Sequence, residues 1–229
     1  MEKYMKTIGI IGGFGPEATA QFYLQLIKQC RAVSDGQQPH IIVRNVSVPR
    51  KLEHDALVLG KNLDQFAPLL TSAAKELERA EADIITLPCN TLHIHEDAIR
   101  TSVRVPFVSI ITASAQFLRT KNIIRVGLLG SRVTIQNNLF KQNTPDITFI
   151  TVDQRLQKQI DRALDLFVGS QNPVRLRAAL TDALSFLTKN GVHDLLLACT
   201  DFHCLCPNKT NIRVHDTLDI LVHATINML

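Results

Sequence analysis

The segment TIGIIGG at residues 7–13 is an apolar run that ends in paired glycines. Such a run predicts a buried β-strand that enters a tight turn. Pro16 shortly afterwards suits the first turn of a helix, where its missing N–H has no partner to lose. The segment IRVGLLG at residues 124–130 has the same character. We therefore expect two similar units, each beginning with a strand, a glycine turn and a helix.

Between and after these two segments, apolar runs typical of strands alternate with stretches of helical spacing. Further strands are predicted at residues 40–48, 82–87, 104–110, 147–152, 193–198 and 212–214. Helices are predicted at 16–31, 62–80, 154–168, 174–189 and 217–228, and a short helix at 93–100. This alternation predicts parallel sheets in a three-layer α/β architecture. The run Ile41–Val43 suggests a strand covered on both faces, and residues 49–51 are expected to form a loop. We assign residues 1–112 plus 212–229 to a first domain and residues 113–211 to a second.

The composition limits the functions open to this chain of 229 residues. Its apolar content of 45% is ordinary for a globular protein, and no apolar run reaches the ~18 residues of a membrane span. The N-terminus lacks the features of a signal peptide, and five cysteines, an odd number, fit a reducing compartment. The basic residues are scattered and not interleaved with aromatics. We expect a cytoplasmic protein with neither a nucleic-acid nor a membrane partner.

Two cysteine segments occupy matching places in the two halves. Residues 87–93 read LPCNTLH and residues 197–203 read LACTDFH, each directly after an apolar run. Ligands of such α/β folds bind beyond the carboxyl ends of the strands, where Cys89 and Cys199 are both predicted to lie. A helical segment is predicted after each cysteine, and a helix N-terminus stabilises a thiolate.

Two thiols that face each other across a pocket suit the inversion of a carbon centre. One thiolate removes a Cα proton while the opposing thiol delivers a proton to the other face. Reacting atoms lie about 3–3.5 Å apart, so the sulfurs are expected about 7 Å or more apart, too far for a disulfide. The alternative is that Cys89 and Cys199 are buried small apolar residues, as free cysteines often are.

Polar residues next to the cysteines are candidates for substrate binding. The side chains and N–H groups of Asn90, Thr91 and Thr200 could hold a carboxylate, or could cap helices. Asp201 could accept from a substrate ammonium, or cap a turn. The backbone at Gly13 could approach a small anion, although the turn is not a G-x-G-x-x-G nucleotide motif.

The histidines and the remaining cysteines leave alternatives open. His93 and His203 could tune the thiols or pack on the helices that follow. Cys199, His203, Cys204 and Cys206 lack the paired spacing of a zinc site. No nucleophile elbow and no Schiff-base lysine motif are present, so we expect neither a metal nor a cofactor.

Three motifs carry a resemblance to a known family. Residues 9–19 (GIIGGFGPEAT), 88–91 (PCNT, with His93) and 199–201 (CTD) resemble the aspartate/glutamate racemase family, in particular its aspartate racemase branch. The resemblance implies two flavodoxin-like domains related by a pseudo-two-fold axis, with the site in the cleft between them. It also implies PLP-independent racemisation by two cysteines, a homodimer, and Arg50 as the ligand of a substrate's side-chain carboxylate.

The chain departs from that branch at two positions. Gly169, in the segment 169–173 expected to separate two long helices, stands where the branch commonly has a lysine, and Asp201 replaces the usual glutamate. Both changes concern substrate recognition. We expect an amino-acid racemase acting on aspartate or glutamate, with Thr134 lining the second half of the site. The alternatives are an isomerase or decarboxylase of a small dicarboxylic acid, and a non-catalytic small-anion binder.

Overall fold

The computed structural model describes residues 6–34, 36–203, 205–207 and 211–229, and these form two sheets of four parallel strands. The strands are β1 (Thr7–Gly12), β2 (His40–Asn45), β3 (Ile84–Thr86), β4 (Phe107–Val108), β5 (Arg125–Gly130), β6 (Thr148–Ile150), β7 (Asp194–Ala198) and β8 (Arg213–Asp216). Their order is β2-β1-β3-β4 in the first sheet and β6-β5-β7-β8 in the second. The identical order confirms the predicted repetition and the α/β fold class.

Helices connect the strands and flank both sheets. They are α1 (Pro16–Val33), α2 (Arg50–Glu53), α3 (Phe66–Arg79), α4 (Glu96–Ser102), α5 (Ile110–Thr120), α6 (Arg132–Gln136), α7 (Leu139–Asn143), α8 (Gln154–Ser170), α9 (Val174–Lys189) and α10 (Thr217–Ile226). A π-helical turn spans His54–Val58, and 3₁₀ turns span Leu63–Gln65, Thr91–His95 and Thr200–Phe202. No helix in the described ranges is both long and apolar enough to cross a bilayer.

The glycines inside β1 and β5 explain why TIGIIGG and IRVGLLG resemble each other. A Cβ added at Gly9 would lie 2.9 Å from Cβ of Ala82, and one added at Gly127 would lie 2.9 Å from Cγ1 of Val192. Leu77 of α3 and Leu187 of α9 crowd the same two places. Gly9 therefore lets the connection from α3 to β3 pack directly against β1, and Gly127 lets the connection from α9 to β7 pack directly against β5.

One hydrophobic core joins the halves. It contains Ile8 and Ile10 of the first sheet, Val126 and Leu196 of the second, and Leu221 of α10. Helix α10 packs against both α1 and α5. The two sheets are thus held together by buried apolar surface rather than by a linker alone.

Local patterns misplaced several segments. Strand β2 lies at a sheet edge with Val43 42% exposed, so it is not covered on both faces. Arg50 begins helix α2 instead of lying in a loop, and Gly169 lies in the last turn of α8. Residues 212–229 were assigned to the first domain, but β8, within that range, pairs with β7 of the second sheet. Pairing between strands, and not the local sequence pattern, decided the sheet positions of β2 and β8.

Candidate active site

Both cysteines line a single cleft beyond the carboxyl ends of β3 and β7. Its lining comprises Phe14, Gly15, Arg50, Glu53, His54, Val58, Cys89, Asn90, Thr91, Ser131, Leu164, Asp165, Val168, Cys199, Thr200 and Asp201. Strands β3 and β7 hold equivalent places in their sheets, each between the first strand of its half and the last. The structure therefore brings one cysteine from each half into the same cleft, together with five of the seven residues that the sequence suggested for substrate binding.

The two sulfurs have matching surroundings. Cys89 is 7% and Cys199 is 9% exposed, and both are free thiols. Burial raises the pKa of Cys89 to about 12, although the N–H groups of Leu92 and Thr91 act in the opposite direction. Burial, followed by the charge of Asp201, also raises the pKa of Cys199, against the N–H of Asp201. Each cysteine is therefore stabilised as a thiolate by N–H groups of the 3₁₀ turn that follows it, but burial outweighs this effect and keeps both as thiols at neutral pH.

Asp201 is the charged group with the strongest effect on the thiols. Burial, followed by the negative charges of Glu17 and Glu53, raises its pKa to about 7. Its charge in turn raises the pKa of both Cys89 and Cys199. A cation that binds beside Asp201 would offset that charge and make a thiolate easier to form.

Replacing Asp201 with asparagine is expected to lower the pKa of both thiols, because the neutral amide no longer opposes a thiolate. The pH dependence of alkylation by iodoacetamide, followed at each cysteine by mass spectrometry, should move to lower pH. Asp165→Asn is the matched control, since Asp165 lines the same cleft but is not among the charges that act on either thiol. Identical alkylation profiles for D201N and wild type would contradict this electrostatic role.

Thr91 belongs to a buried network of three hydroxyls that joins the two halves of the chain. Its Oγ1 lies 3.1 Å from Oγ of Ser131 and 3.0 Å from Oγ1 of Thr134, and the last two are 3.1 Å apart. Thr134 is buried behind the lining and not part of it, which corrects its predicted place; Ser131 lines the cleft instead. Ser131 was missed, although it follows β5 directly and caps α6 through its hydroxyl.

Gly13 has a structural task at the end of β1. Its φ is +99°, and a Cβ there would lie 2.2 Å from the carbonyl oxygen of Val46. Its N–H donates to Oγ1 of Thr19 at 3.3 Å, so that amide is not free for an anion. The cleft is lined by Phe14 and Gly15 rather than by Gly13. Close backbone packing, which a glycine permits, therefore explains this residue.

His93 holds the backbone of Cys89. Its Nε2 accepts from the N–H of Ile110 at 3.1 Å, so Nδ1 carries the proton and donates to the carbonyl of Cys89 at 2.8 Å. Burial lowers the pKa of His93 to about 4, which keeps the ring neutral. Of the two alternatives for His93, the structure favours packing and support of the cysteine backbone over direct tuning of the thiol.

His203 belongs to a small acidic cluster near the second cysteine. Its Nδ1 lies 2.9 Å from Oδ2 of Asp216, whose Oδ1 accepts from the N–H of Leu218. That hydrogen bond raises the pKa of His203. His203, Asp216 and Asp219 could hold a metal ion, since one ligand atom of each lies within 4.8 Å of the others. Both carboxylate oxygens of Asp216 already have partners, one in the His203 ring and the other in the N–H of Leu218. Cys204, which was considered with His203 as a metal ligand, lies outside the described residues.

Arg50 reaches across the cleft to helix α8. A Cβ added at Gly169 would lie 2.2 Å from Nη2 of Arg50 and 3.0 Å from its Cζ. Glycine at 169 therefore leaves the space that the guanidinium occupies. Within the described residues that guanidinium has no hydrogen-bond partner, so it can bind a carboxylate in a bidentate manner.

Three further polar residues around Arg50 were not found from the sequence. Glu53, His54 and Asp165 line the cleft, and His54 Nε2 lies 3.4 Å from Asp165 Oδ1, across the two halves. Glu53 and His54 follow Arg50 at helical spacing, but the loop predicted at residues 49–51 hid that signal. Asp165 lies on the same helix as Gly169, one turn earlier.

A family model for Asp/Glu/hydantoin racemases matches residues 11–225. The chain belongs to this family. A related protein from Bacillus subtilis (strain 168), named broad specificity amino-acid racemase RacX, is 23% identical over 229 residues that cover 96% of each chain. This membership supports an amino-acid racemase, which is an isomerase.

Solved structures of racemases have the same fold. A Picrophilus torridus aspartate racemase has a TM-score of 0.80 and 25% identity, covering 97% of this chain and 94% of that one. A Yersinia pestis protein provisionally named an Asp/Glu racemase has a TM-score of 0.83 and 26% identity, covering 98% and 99%. The two-domain racemase architecture implied by the resemblance is thus confirmed.

Proposed function

We propose that this protein racemises a free amino acid by proton transfer between Cys89 and Cys199, without PLP or any other cofactor. The observation that carries the proposal is the pair of buried free thiols, one from each half, on equivalent strands and in one cleft. Membership in the racemase family supports the reaction class.

The reaction needs one thiolate and one thiol. The thiolate takes the Cα proton and becomes a thiol, and the opposite thiol gives its proton to the other face of the carbanion and becomes the thiolate. Protons balance: the enzyme is left in the form that acts on the product enantiomer, and exchange of the thiol protons with water restores the first form. The substrate ammonium offsets the charge of Asp201, and the N–H groups of Leu92 and Thr91 favour the thiolate of Cys89, so that substrate binding itself lowers the cost of forming it.

Arg50 supports aspartate or glutamate as the substrate. Its guanidinium lines the cleft and can hold a side-chain carboxylate in a bidentate manner. A second candidate is a racemase of broader specificity, the activity for which the Bacillus subtilis relative is named. The carboxylates of Glu53 and Asp165 favour it, since they line the same cleft and oppose a second negative charge on the substrate.

The test is incubation of the purified protein with each enantiomer of a panel of amino acids in deuterated water. We expect chiral chromatography to find the opposite enantiomer, and mass spectrometry to find deuterium at its Cα. Maleate and substituted malonates belong in the same panel, because their turnover would favour an isomerase or a decarboxylase. Binding without exchange for every amino acid would contradict the racemase. The homodimer stays a proposal that the measured mass in solution would check.

A further inference from the structure

Thr217, the first residue of α10, connects the two cysteine segments through its hydroxyl group. The Nδ2 of Asn90 donates to Oγ1 of Thr217 at 3.0 Å, and Oγ1 donates to the carbonyl of Leu197 at 2.9 Å. Asn90 directly follows Cys89, and Leu197 lies two residues before Cys199. All three residues are buried. A single side chain therefore joins the chain beside one cysteine to the chain beside the other.

The direction of these hydrogen bonds determines how the amide of Asn90 is turned. The carbonyl oxygen of Leu197 can only accept, so the single hydroxyl proton of Thr217 is used there. The oxygen of Thr217 is then left to accept, and the group that Asn90 turns toward it must be the NH₂. The Oδ1 of Asn90 is consequently the end that faces away from Thr217.

That Oδ1 is a buried acceptor without a partner. It is among the few buried side-chain polar atoms of the described residues that have no hydrogen bond, and Asn90 lines the cleft beside Cys89. A buried polar group left unpaired is costly, and such groups at sites often await a ligand. An acceptor suits an ammonium and not a carboxylate, which reverses the role expected for this side chain from the sequence.

We propose that Thr217 is a positioning residue that locks the Asn90 amide with Oδ1 toward the bound amino acid, where it accepts from the α-ammonium. This inference rests on the proposed function, because it assigns the ammonium end of that substrate. Asn90 and Asp201 then receive the ammonium from the two halves of the cleft. Without the Thr217 hydroxyl the amide can turn over and present NH₂ to the cation.

The test compares an amino acid with the same molecule lacking its amino group. Titration calorimetry with DL-aspartate and with succinate gives two dissociation constants for each variant. For Thr217→Val we expect binding of DL-aspartate to weaken about tenfold, the scale of one hydrogen bond to a charged group, while succinate binding changes less than about twofold. Thr217→Ser keeps the hydroxyl and should restore the wild-type constants.

Thr225→Val is the matched control. Thr225 lies in the same helix, is equally buried, and donates to the carbonyl of Leu221, away from the cleft. The Thr225→Val substitution removes a comparable hydroxyl and should leave the dissociation constants of both DL-aspartate and succinate unchanged. Equal weakening of aspartate and succinate in Thr217→Val, or no rescue by Thr217→Ser, would overturn the inference. If the wild-type protein does not racemise any amino acid, the proposed function is wrong. The titrations would still decide the role of Thr217.

Discussion

Replacing either Cys89 or Cys199 with alanine is expected to lower the rate of racemisation by about 10³-fold. Proton transfer by a positioned side chain commonly contributes 10²–10⁴-fold, and each inversion needs both thiols. The remaining thiol still faces one side of the substrate, so it can exchange the Cα hydrogen of one enantiomer without inverting it. Cys89→Ala and Cys199→Ala should therefore differ in the enantiomer that takes up deuterium. Chiral chromatography and Cα deuterium content measure the two effects separately.

Cys30→Ala is the control for the cysteine variants. Cys30 is also a buried free cysteine, but it lies in α1 and does not line the cleft. Its replacement should cost some stability through the lost packing and leave racemisation unchanged. Thermal unfolding of all three variants separates loss of chemistry from loss of fold. Full activity in Cys89→Ala or in Cys199→Ala would exclude the two-thiol mechanism.

Replacing Arg50 with alanine is expected to reduce kcat/KM for aspartate and glutamate by about 100-fold. Hydrogen bonds to charged groups contribute about 1.5–3 kcal/mol each, and 100-fold corresponds to about 2.7 kcal/mol. For alanine and other amino acids without a side-chain carboxylate, the change should be less than about threefold. Kinetics on this panel therefore test the assignment of Arg50 and decide between a dicarboxylic and a broader substrate range.

Two further variants sharpen the Arg50 experiment. Lys51→Ala removes the adjacent exposed cation, which does not line the cleft. This change should leave kcat/KM unchanged for every amino acid tested. Gly169→Ala places a Cβ where Nη2 of Arg50 now lies, so it should weaken aspartate turnover by displacing the guanidinium. A loss in Arg50→Ala that is the same for alanine as for aspartate would show that Arg50 does not read the side chain.

Much of the fold was predictable because its signals are local. Apolar runs and helical spacing reflect backbone preferences over a few residues, and they recur in both halves together with the glycines at residues 9 and 127. Edges and sheet membership were not predictable in this way. Strand β2 reads as buried from its composition, but it lies at an edge because only one strand pairs with it. Strand β8 belongs to the second sheet because β7 lies beside it.

The candidate site likewise contains residues that were predictable from local sequence and residues that were not. Both cysteines and their immediate neighbours Asn90, Thr91, Thr200 and Asp201 were found from the sequence, because strand ends position them directly. Thr134 was misplaced, since its contact with Thr91 joins residues from different halves. Glu53, His54 and Asp165 were missed for a similar reason: α2 and α8 come together only in the folded chain.

The sequence by itself determined that this protein has two related α/β units with a cysteine at the end of one strand in each. Strand and turn propensities act over a few residues, and a short motif can record them. Only the tertiary structure decided that Arg50 fills the space left by Gly169 and that Thr217 turns the amide of Asn90. Those contacts join residues more than a hundred positions apart, and their geometry depends on how the two sheets pack through the core that they share.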